Sequence, residues 1–530
     1  MFSGEISVVA CLLLGLGWLA FLAFMLLWAC RYHLHMLQQN SYVNKEYWAW
    51  LKKQSIWLRA FVALALLIRA FFPGLDWIDL TSCVLFFLLC FAWLPLRRKA
   101  AKKPLAFTKR MKRLFACTGA LLLLYSLPGL LFFPLQNSVH MLLLAAAFPW
   151  AFVLLANSLM KPVEKQINMG FFRSAQSKLR SMPGLTTVGV TGSYGKTSVK
   201  MILGAILGEK FETLITPHSY NTPMGVSLTV NNHLRPITEV FVCEMGARHR
   251  EDIAEMCDLA QPDIAVLTAI GEQHLETFGS QENIIAAKFD IIRALPADGK
   301  AVVNGDNPLI TANLGEFSCP ILRYGLDPSN DYWADQISFD KHGSSFVVHA
   351  EGEEWPMRTA LLGRHNVCNI LGGIAVARLL GMEMKQISRG LSRIPSIEHR
   401  LQLMNAGIYT VIDDAFNSNP AGAEAALEVL SSFEGGRKII ITPGMVELGE
   451  RQEQLNREFG SKLPAVCDLI ILVGKKHSRP IYEGAEAAGC RDGQLLVAAD
   501  LDEARKMLAE LVRKDDVVLF ENDLPDTYNE

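Results

Sequence analysis

Apolar positions follow two regimes along this chain. Up to residue 160 they gather in long runs, Ile6–Cys30, Ser55–Phe72, Leu80–Leu96, Leu114–Phe133 and Val139–Met160. Each run is close to the ~20 residues that a helix needs to cross ~30 Å of hydrocarbon, so the pattern predicts a five-helix transmembrane domain. Beyond it, short β-branched stretches alternate with helical periodicity. Thr187–Val190 predicts a strand, a glycine-rich turn follows, Ser198–Leu207 predicts a helix, and Val240–Cys243 and Ile264–Thr268 predict further strands. That rhythm belongs to a parallel sheet with helices on both faces. Segments near Ser338–His349 read as short antiparallel strands. A second α/β rhythm starts around Leu401, with strands at Tyr409–Ile412, Lys438–Thr442 and Leu469–Val473. The break between the two rhythms falls near Pro395–Arg400. The predicted domains are 1–164 in the membrane, 165–397 as a P-loop parallel-sheet domain and 398–530 as a Rossmann-like α/β domain.

Loop charge orients the apolar runs. Arg31–Gln54 carries Arg31, Lys45, Lys52 and Lys53, and Arg97–Arg113 carries nine Lys or Arg, whereas Pro73–Asp79 and Pro134–Ser138 carry none. Basic loops stay on the cytoplasmic side. This predicts an external N-terminus, a multi-pass protein of a bacterial cell membrane, and a cytoplasmic location for Lys161 and all that follows. The first run lacks the basic n-region of a signal peptide and is read as a retained span. Arg59 and Arg69 lie near the ends of their run, where their guanidinium groups can extend to headgroups.

Composition adds exclusions. With 51% hydrophobic and 20% charged residues over 530 positions, the chain is neither disordered nor a small disulfide scaffold. The net charge of −2 hides a division, because residues 1–160 hold 15 basic and 4 acidic side chains while the remainder is acidic. The 11 Cys residues form no Cys-x-x-Cys pair and read as apolar fillers in a reducing compartment. An acidic second half without a basic aromatic surface excludes nucleic acid as a partner.

Candidate chemistry begins at Val190-Thr-Gly-Ser-Tyr-Gly-Lys-Thr-Ser198, a strand entering a helix through glycines. Backbone N–H groups of Gly192, Ser193 and Gly195, with those opening the helix at Ser198, can surround phosphate oxygens. Lys196 then reaches the terminal phosphates and Thr197 offers its hydroxyl to Mg²⁺. The glycine before Gly195 stands at 192, so the spacing departs from the strict P-loop pattern. Glu244 and His274 each follow an apolar strand, and the carboxyl ends of parallel strands face the ligand crevice.

Taken in order, these residues resemble the Mur ligase family of ATP-dependent amide-forming enzymes. The resemblance rests on the P-loop, Asn221-Thr-Pro-Met-Gly225, Glu244-Met-Gly, His274-Leu-Glu-Thr-Phe-Gly-Ser280, Ala287-Lys-Phe-Asp-Ile291, Gly363-Arg-His-Asn-Val-Cys-Asn369, His399-Arg-Leu401 and Asp413-Asp-Ala-Phe-Asn-Ser-Asn-Pro420. It is most similar to the branch that adds D-alanyl-D-alanine to a UDP-N-acetylmuramoyl tripeptide, where Gly444-Met-Val-Glu-Leu-Gly449 also has its counterpart. The resemblance implies ATP and two Mg²⁺ ions as cofactors. Lys196 and Thr197 would hold phosphates and the first ion with Glu244. His274 would coordinate the second ion, and Lys288 would support it as a carbamylated lysine. Asn366 and Asn369 would contact adenine or hold its pocket, while Arg400 and Asp414 would reach ATP from the C-terminal domain on closure.

Two features depart from the family pattern. Its usual N-terminal uridine-nucleotide domain has no room between the fifth run and the ATP strand. The chain also carries Val517-Val-Leu-Phe-Glu-Asn-Asp-Leu-Pro-Asp-Thr-Tyr-Asn-Glu530 where the dipeptide-adding branch ends its last strand with a Lys-Gly-Ser segment associated with the incoming substrate. The resulting expectation is a membrane-anchored carboxylate–amine ligase working through an acyl phosphate in peptidoglycan or envelope synthesis. Its partners would be a small or lipid-linked carboxylate acceptor, an amino acid or peptide amine, the bilayer, and envelope-synthesis membrane proteins. A polyglutamate or capsule-type synthetase and a non-catalytic nucleotide-gated scaffold are the alternatives.

Overall fold

The computed structural model describes residues 24, 26–53, 104–132, 145, 148–271, 273, 275–340, 342–395, 398–415, 418–446 and 448–523. The chain divides into two compact units, Met1–Met169 and Gly170–Glu530.

The described part of the first unit is helical, with residues 26–39, α1 (Asn44–Lys53), α2 (Lys109–Phe132) and the start of α3 (Pro149–Arg180). Leu34, Leu37, Tyr47, Met111, Leu114 and Val153 form its core. Polar ties fix the register: Arg113 forks onto both oxygens of Glu164 at 2.7 Å, and Asn157 Nδ2 donates to the Tyr42 carbonyl (2.9 Å) and to Asn44 Oδ1 (2.7 Å).

Here the structure corrects the sequence-based expectation. Among the described residues no helix is long and apolar enough to cross a membrane. Of the Leu114–Phe133 run, Leu114–Phe132 lies in α2, whose start carries Lys109, Arg110, Lys112 and Arg113 and whose last turns contain Pro128. In α3 the apolar stretch extends only from Pro149 to Met160, ~18 Å at ~1.5 Å per residue, before Lys161 and Glu164 make it polar. The five-helix transmembrane domain, the multi-pass membrane localisation and the bilayer as a partner are withdrawn with this finding. The runs Ser55–Phe72 and Leu80–Leu96, and most of Ile6–Cys30, lie outside the described residues.

The second unit contains two sheets. The first has strand order β2-β3-β1-β4-β5-β6-β7-β8-β9. Its strands are β1 (Thr186–Thr191), β2 (Thr213–Ile215), β3 (Val240–Glu244), β4 (Ile264–Leu267), β5 (Lys300–Asn304), β6 (Ile321–Gly325), β7 (Tyr332–Asp340), β8 (Gly343–Ala350) and β9 (Glu353–Thr359). β1 to β6 run parallel, and β7 to β9 form an antiparallel meander at one edge. Alternate side chains of the parallel strands enter different cores, as a period of two requires. Val188 and Val190 pack with Ile202 and Leu203 of α4 (Lys196–Leu207). Phe241, Cys243, Ala265 and Leu267 pack on the other face with Ile284 and Phe289 of α5 (Gln281–Arg293). Each large buried side chain contributes ~1.5–3 kcal/mol, so the helices that carry the site are anchored by the sheet itself. On the first face, α6 (Arg364–Leu379) lies beside α4 through Val367, Ile370, Leu371 and Ile374.

The second sheet is ordered β10-β11-β15-β12-β13-β14. These are β10 (Gln402–Asn405), β11 (Thr410–Asp414), β12 (Lys438–Thr442), β13 (Leu469–Val473), β14 (Leu495–Ala498) and β15 (Val517–Glu521). All pairs are parallel except β10 with β11. The last strand of the chain thus inserts between β11 and β12. This places Glu521 beside Asp414 and Thr442 at the carboxyl mouth of the sheet.

Candidate functional site

β3, β1 and β4 are neighbours, and their carboxyl ends define a common mouth. The turn after β1 is shaped by two glycines. A Cβ on Gly192 would lie 2.1 Å from Thr268 Oγ1. Gly195 has φ 82°, and a Cβ there would sit 2.7 Å from Asn369 Oδ1. The turn is braced from β4: Ser193 N–H donates to the Ala269 carbonyl at 2.6 Å, and Gly271 N–H donates to Ser193 Oγ at 3.1 Å. Ser193 N–H is taken up by this brace, and the backbone N–H groups that open α4 are left to approach an anion.

Lys196 opens α4 and curls back over the turn, its Nζ donating to the carbonyls of Gly192 (2.6 Å) and Ser193 (2.9 Å). Burial brings its pKa down to about 8; Glu244 opposes that shift and Arg400 adds to it. Thr197 Oγ1 donates to Glu244 Oε1 at 3.2 Å, and Asn221 Nδ2 donates to the same oxygen at 3.0 Å. Glu244 Oε2 lies 2.9 Å from Lys200 Nζ, with both side chains 1% exposed. Ser198 is buried in the first turn of α4.

Lys288 lies on α5 and is 3% exposed. Burial and then the nearby charge of Lys196 push its pKa well below the ordinary lysine value, against the pull of Asp252. An amine held neutral is the form able to take up CO₂ as a carbamate, which suits the role implied for Lys288. His274 lies outside the described residues.

From α6, Asn366 donates Nδ2 to the Leu362 carbonyl at 2.8 Å and keeps Oδ1 buried without a partner, an acceptor open to a ligand N–H. Asn369 packs its amide oxygen against Gly195 and so supports the phosphate turn. Arg400 stands between two residues in left-handed backbone, His399 (φ 57°) and Leu401 (φ 48°). That strained segment is pinned to β11, because His399 Nδ1 lies 2.7 Å from Asp413 Oδ2 and Leu401 N–H donates to Asp414 Oδ1 at 3.1 Å. Arg400 is drawn below its usual pKa by burial, while Asp414 and Glu244 oppose this, so its charge acts on both mouths. Asp414 is pushed up to about 7, by burial first and then by Glu521.

The structure therefore gathers Gly192, Ser193, Gly195, Lys196, Thr197, Ser198, Glu244 and Asn369 at one mouth. Arg400 couples to it electrostatically from the second sheet. Asp414 belongs to the second mouth, where Glu521 accepts hydrogen bonds from Ser418 and Thr442 and is raised in pKa by burial. Sequence reasoning assigned no role to Lys200, Asn221 or Ser418. A lysine one helical turn beyond Lys196, on the buried face of α4, was the available signal for Lys200.

Magnesium fits this donor set. Thr197 and Glu244 offer the oxygen ligands a hard cation takes. Among the described residues no group of three or more His, Cys, Asp or Glu forms a cage. A cation there would complete its shell with phosphate and water, as Mg²⁺ commonly does.

Comparison with known proteins follows the same residues. A family model described as "Mur ligase middle domain" matches residues 190–377, and one described as "Mur ligase, glutamate ligase domain" matches 399–521. The UDP-N-acetylmuramoyl-tripeptide–D-alanyl-D-alanine ligase of Bacillus subtilis is 35% identical over 296 residues, which cover 55% of this chain and 63% of that protein. The enzyme of that name from Mycobacterium bovis is 33% identical over 358 residues, 63% of this chain and 70% of the relative. Among solved structures, a MurF ligase from Thermotoga maritima in complex with ADP superposes with a TM-score of 0.61 at 28% identity, covering 67% of this chain and 80% of that one.

Proposed function

Because this chain belongs to the Mur ligase family of ATP-dependent amide-bond-forming enzymes, we propose that it joins a peptidoglycan-precursor carboxylate to the amine of an amino acid or peptide through an acyl phosphate. The observation that carries the reading is the meeting of Lys196, Thr197 and Glu244 at the carboxyl ends of β1 and β3, with buried Lys288, its pKa pushed below the ordinary lysine value, on the adjoining helix. The relatives' names give a muramoyl tripeptide and D-alanyl-D-alanine as their substrates. We assign this chain the same substrate classes. Glu521 ends β15 as a buried carboxylate. We also propose 165–397 and 398–530 as the limits of its nucleotide-binding and closing domains.

In this mechanism the turn at Gly192–Gly195 and Lys196 bind the β- and γ-phosphates of ATP. Lys196 exchanges its carbonyl partners for phosphate oxygens, and the acceptor carboxylate attacks the γ-phosphorus to give acyl phosphate and ADP. The amine adds to the acyl carbon, loses its proton, and the tetrahedral intermediate expels inorganic phosphate. Such chemistry depends on charge neutralisation and alignment more than on a protein nucleophile. Magnesium, when bound, supplies part of that neutralisation. Thr197 and Glu244 would hold one ion, and carbamylated Lys288 with His274 a second. Arg400 brings a further cation from the second sheet, and closure of the domains around it would exclude water from the acyl phosphate.

The test is ATP hydrolysis by the full chain with UDP-muramoyl tripeptide and a panel of amino acids and dipeptides. The expected result is phosphate release that requires both substrates, with the amide identified by mass spectrometry. ATP turnover indifferent to both would overturn the reading. A nucleotide-gated scaffold would instead retain its cellular role after Lys196→Ala.

A further inference from the structure

Lys200 is a fully buried cation that the proposed reaction does not use. It lies one turn beyond Lys196 on α4, with Nζ 2.9 Å from Glu244 Oε2 and also donating to the His218 carbonyl, at a residue with φ 45°. The other carboxylate oxygen accepts from Thr197 and Asn221. Glu244 N–H donates to Thr216 Oγ1 at 3.1 Å, so the carboxylate is fixed from its backbone outward. A carboxylate has about four lone-pair sites. Thr197 and Asn221 take those of Oε1, while Oε2 is buried without a hydrogen bond and faces the Lys200 ammonium as an ion pair.

We propose that Lys200 is a positioning residue whose ammonium orients Glu244 and cancels its charge, so that a divalent cation joins this carboxylate only together with the phosphates of a nucleotide. The inference rests on the assignment of Glu244 to the metal–nucleotide site. With the ion pair intact, a lone divalent cation meets a neutral pair and a neighbouring ammonium, Lys196, and gains little. Bound phosphates reverse that balance, because they draw Lys196 onto themselves and bring their own negative charge. Thr197 is the donor best able to yield, since its hydroxyl oxygen can turn from bonding Glu244 to ligating the cation. Lys200 remains behind and keeps Oε1 facing the mouth. The arrangement prevents the empty site from trapping a metal ion that would then have to be expelled before the metal–nucleotide complex could enter.

The experiment is Mn²⁺ binding to the full-length protein, followed by electron paramagnetic resonance with and without ADP, in wild type, Glu244→Gln, Lys200→Met, Lys200→Arg and the Lys200→Met/Glu244→Gln pair. Without ADP, wild type and Glu244→Gln should bind Mn²⁺ equally weakly; with ADP, wild type should bind it tightly and Glu244→Gln should not. Lys200→Met should acquire a nucleotide-free site at least about tenfold tighter than wild type, lost in the double variant, while Lys200→Arg restores wild-type behaviour. A Glu244-dependent site in wild type without ADP would overturn the proposal, as would a folded Lys200→Met that gains no affinity. If Lys200→Met does not fold, the comparison of wild type with Glu244→Gln decides alone. Failure of Mn²⁺ to bind even with ADP would overturn the metal–nucleotide reading itself.

Discussion

The two sheets of the second unit place functional groups at the same topological position, the carboxyl ends of parallel strands, yet they solve opposite electrostatic problems. At the first mouth the groups whose pKa burial lowers are amines, set around the buried carboxylate of Glu244. Lys196 is brought down to about 8 by burial, and Lys288 well below the ordinary lysine value. At the second mouth the shifted groups are acids, with Asp414 pushed up to about 7 and Glu521 also raised, burial being the main cause of each. The first is organised to lose part of its positive charge until a polyanion arrives. The second is organised to lose part of its negative charge, a shift that the nearby charge of Arg400 partly opposes. A single topology thus supports complementary ends of one reaction, and the difference lies in a few side chains at strand ends.

The largest expected effect comes from removing the first mouth's mobile cation. Lys196→Ala should lower kcat for ATP-dependent amide formation by at least ~10³-fold, in line with the cost of losing a group that stabilises transition-state charge. Lys288→Met should be next, with a loss of ~10²–10³-fold and an opposite effect on stability. Deleting a buried amine with no hydrogen bond among the described residues should raise Tm, an activity–stability exchange visible by calorimetry alongside the assay. A Lys288→Met protein that kept its activity would show that the carbamate is not needed and would remove half of the comparison.

The mouths should also differ in the sign of their pH dependence. A lysine depressed from 10.5 to about 8 binds fewer protons folded than unfolded between those values, so its contribution makes stability rise with pH across that window. An aspartate raised from 3.8 to about 7 binds more protons folded than unfolded, so its contribution is fully present below 3.8 and is lost as pH rises through about 7. Tm profiles should therefore flatten between pH 4 and 7 in Asp414→Asn, and between pH 8 and 10.5 in Lys196→Met. A flattening in the same window for both variants would show that the mouths are not electrostatically distinct.

Much of the first mouth was legible because its chemistry is local. Gly192 to Thr197 lie within one turn, and the strand and helix around them announce themselves by periodicity. Glu244 was legible as the polar end of a buried strand. Lys200 and Glu521 were not, for different reasons. Lys200 is a charge on the buried face of an amphipathic helix, and only the approach of β3 supplies its partner. Glu521 becomes a site residue only because β15 crosses back between β11 and β12, a pairing of residues some hundred positions apart. The apolar runs that reach into α2 and α3 misled because mean apolarity carries no information on where a helix starts. In α2 the cations of the loop are part of the helix, and in α3 the helix begins ten residues into the run.

The smallest expected effect separates the chemistry of Lys288 from the helix that carries it. Ser280 is the N-cap of α5, its hydroxyl accepting from Asn283 N–H at 3.3 Å, and Asn283 Nδ2 donates to the Phe278 carbonyl at 2.8 Å. Ser280→Ala should cost about 1 kcal/mol and lower Tm by about 2–4 °C. Lys288 lies two turns farther along, where Ile284, Ala287, Phe289 and Ile291 hold α5 against the sheet, so activity at low temperature should stay within about twofold of wild type. If Ser280→Ala instead lost activity as Lys288→Met does, the start of α5 would itself belong to the first mouth. The cationic character of that mouth would then include a helix N-terminus as well as its lysines.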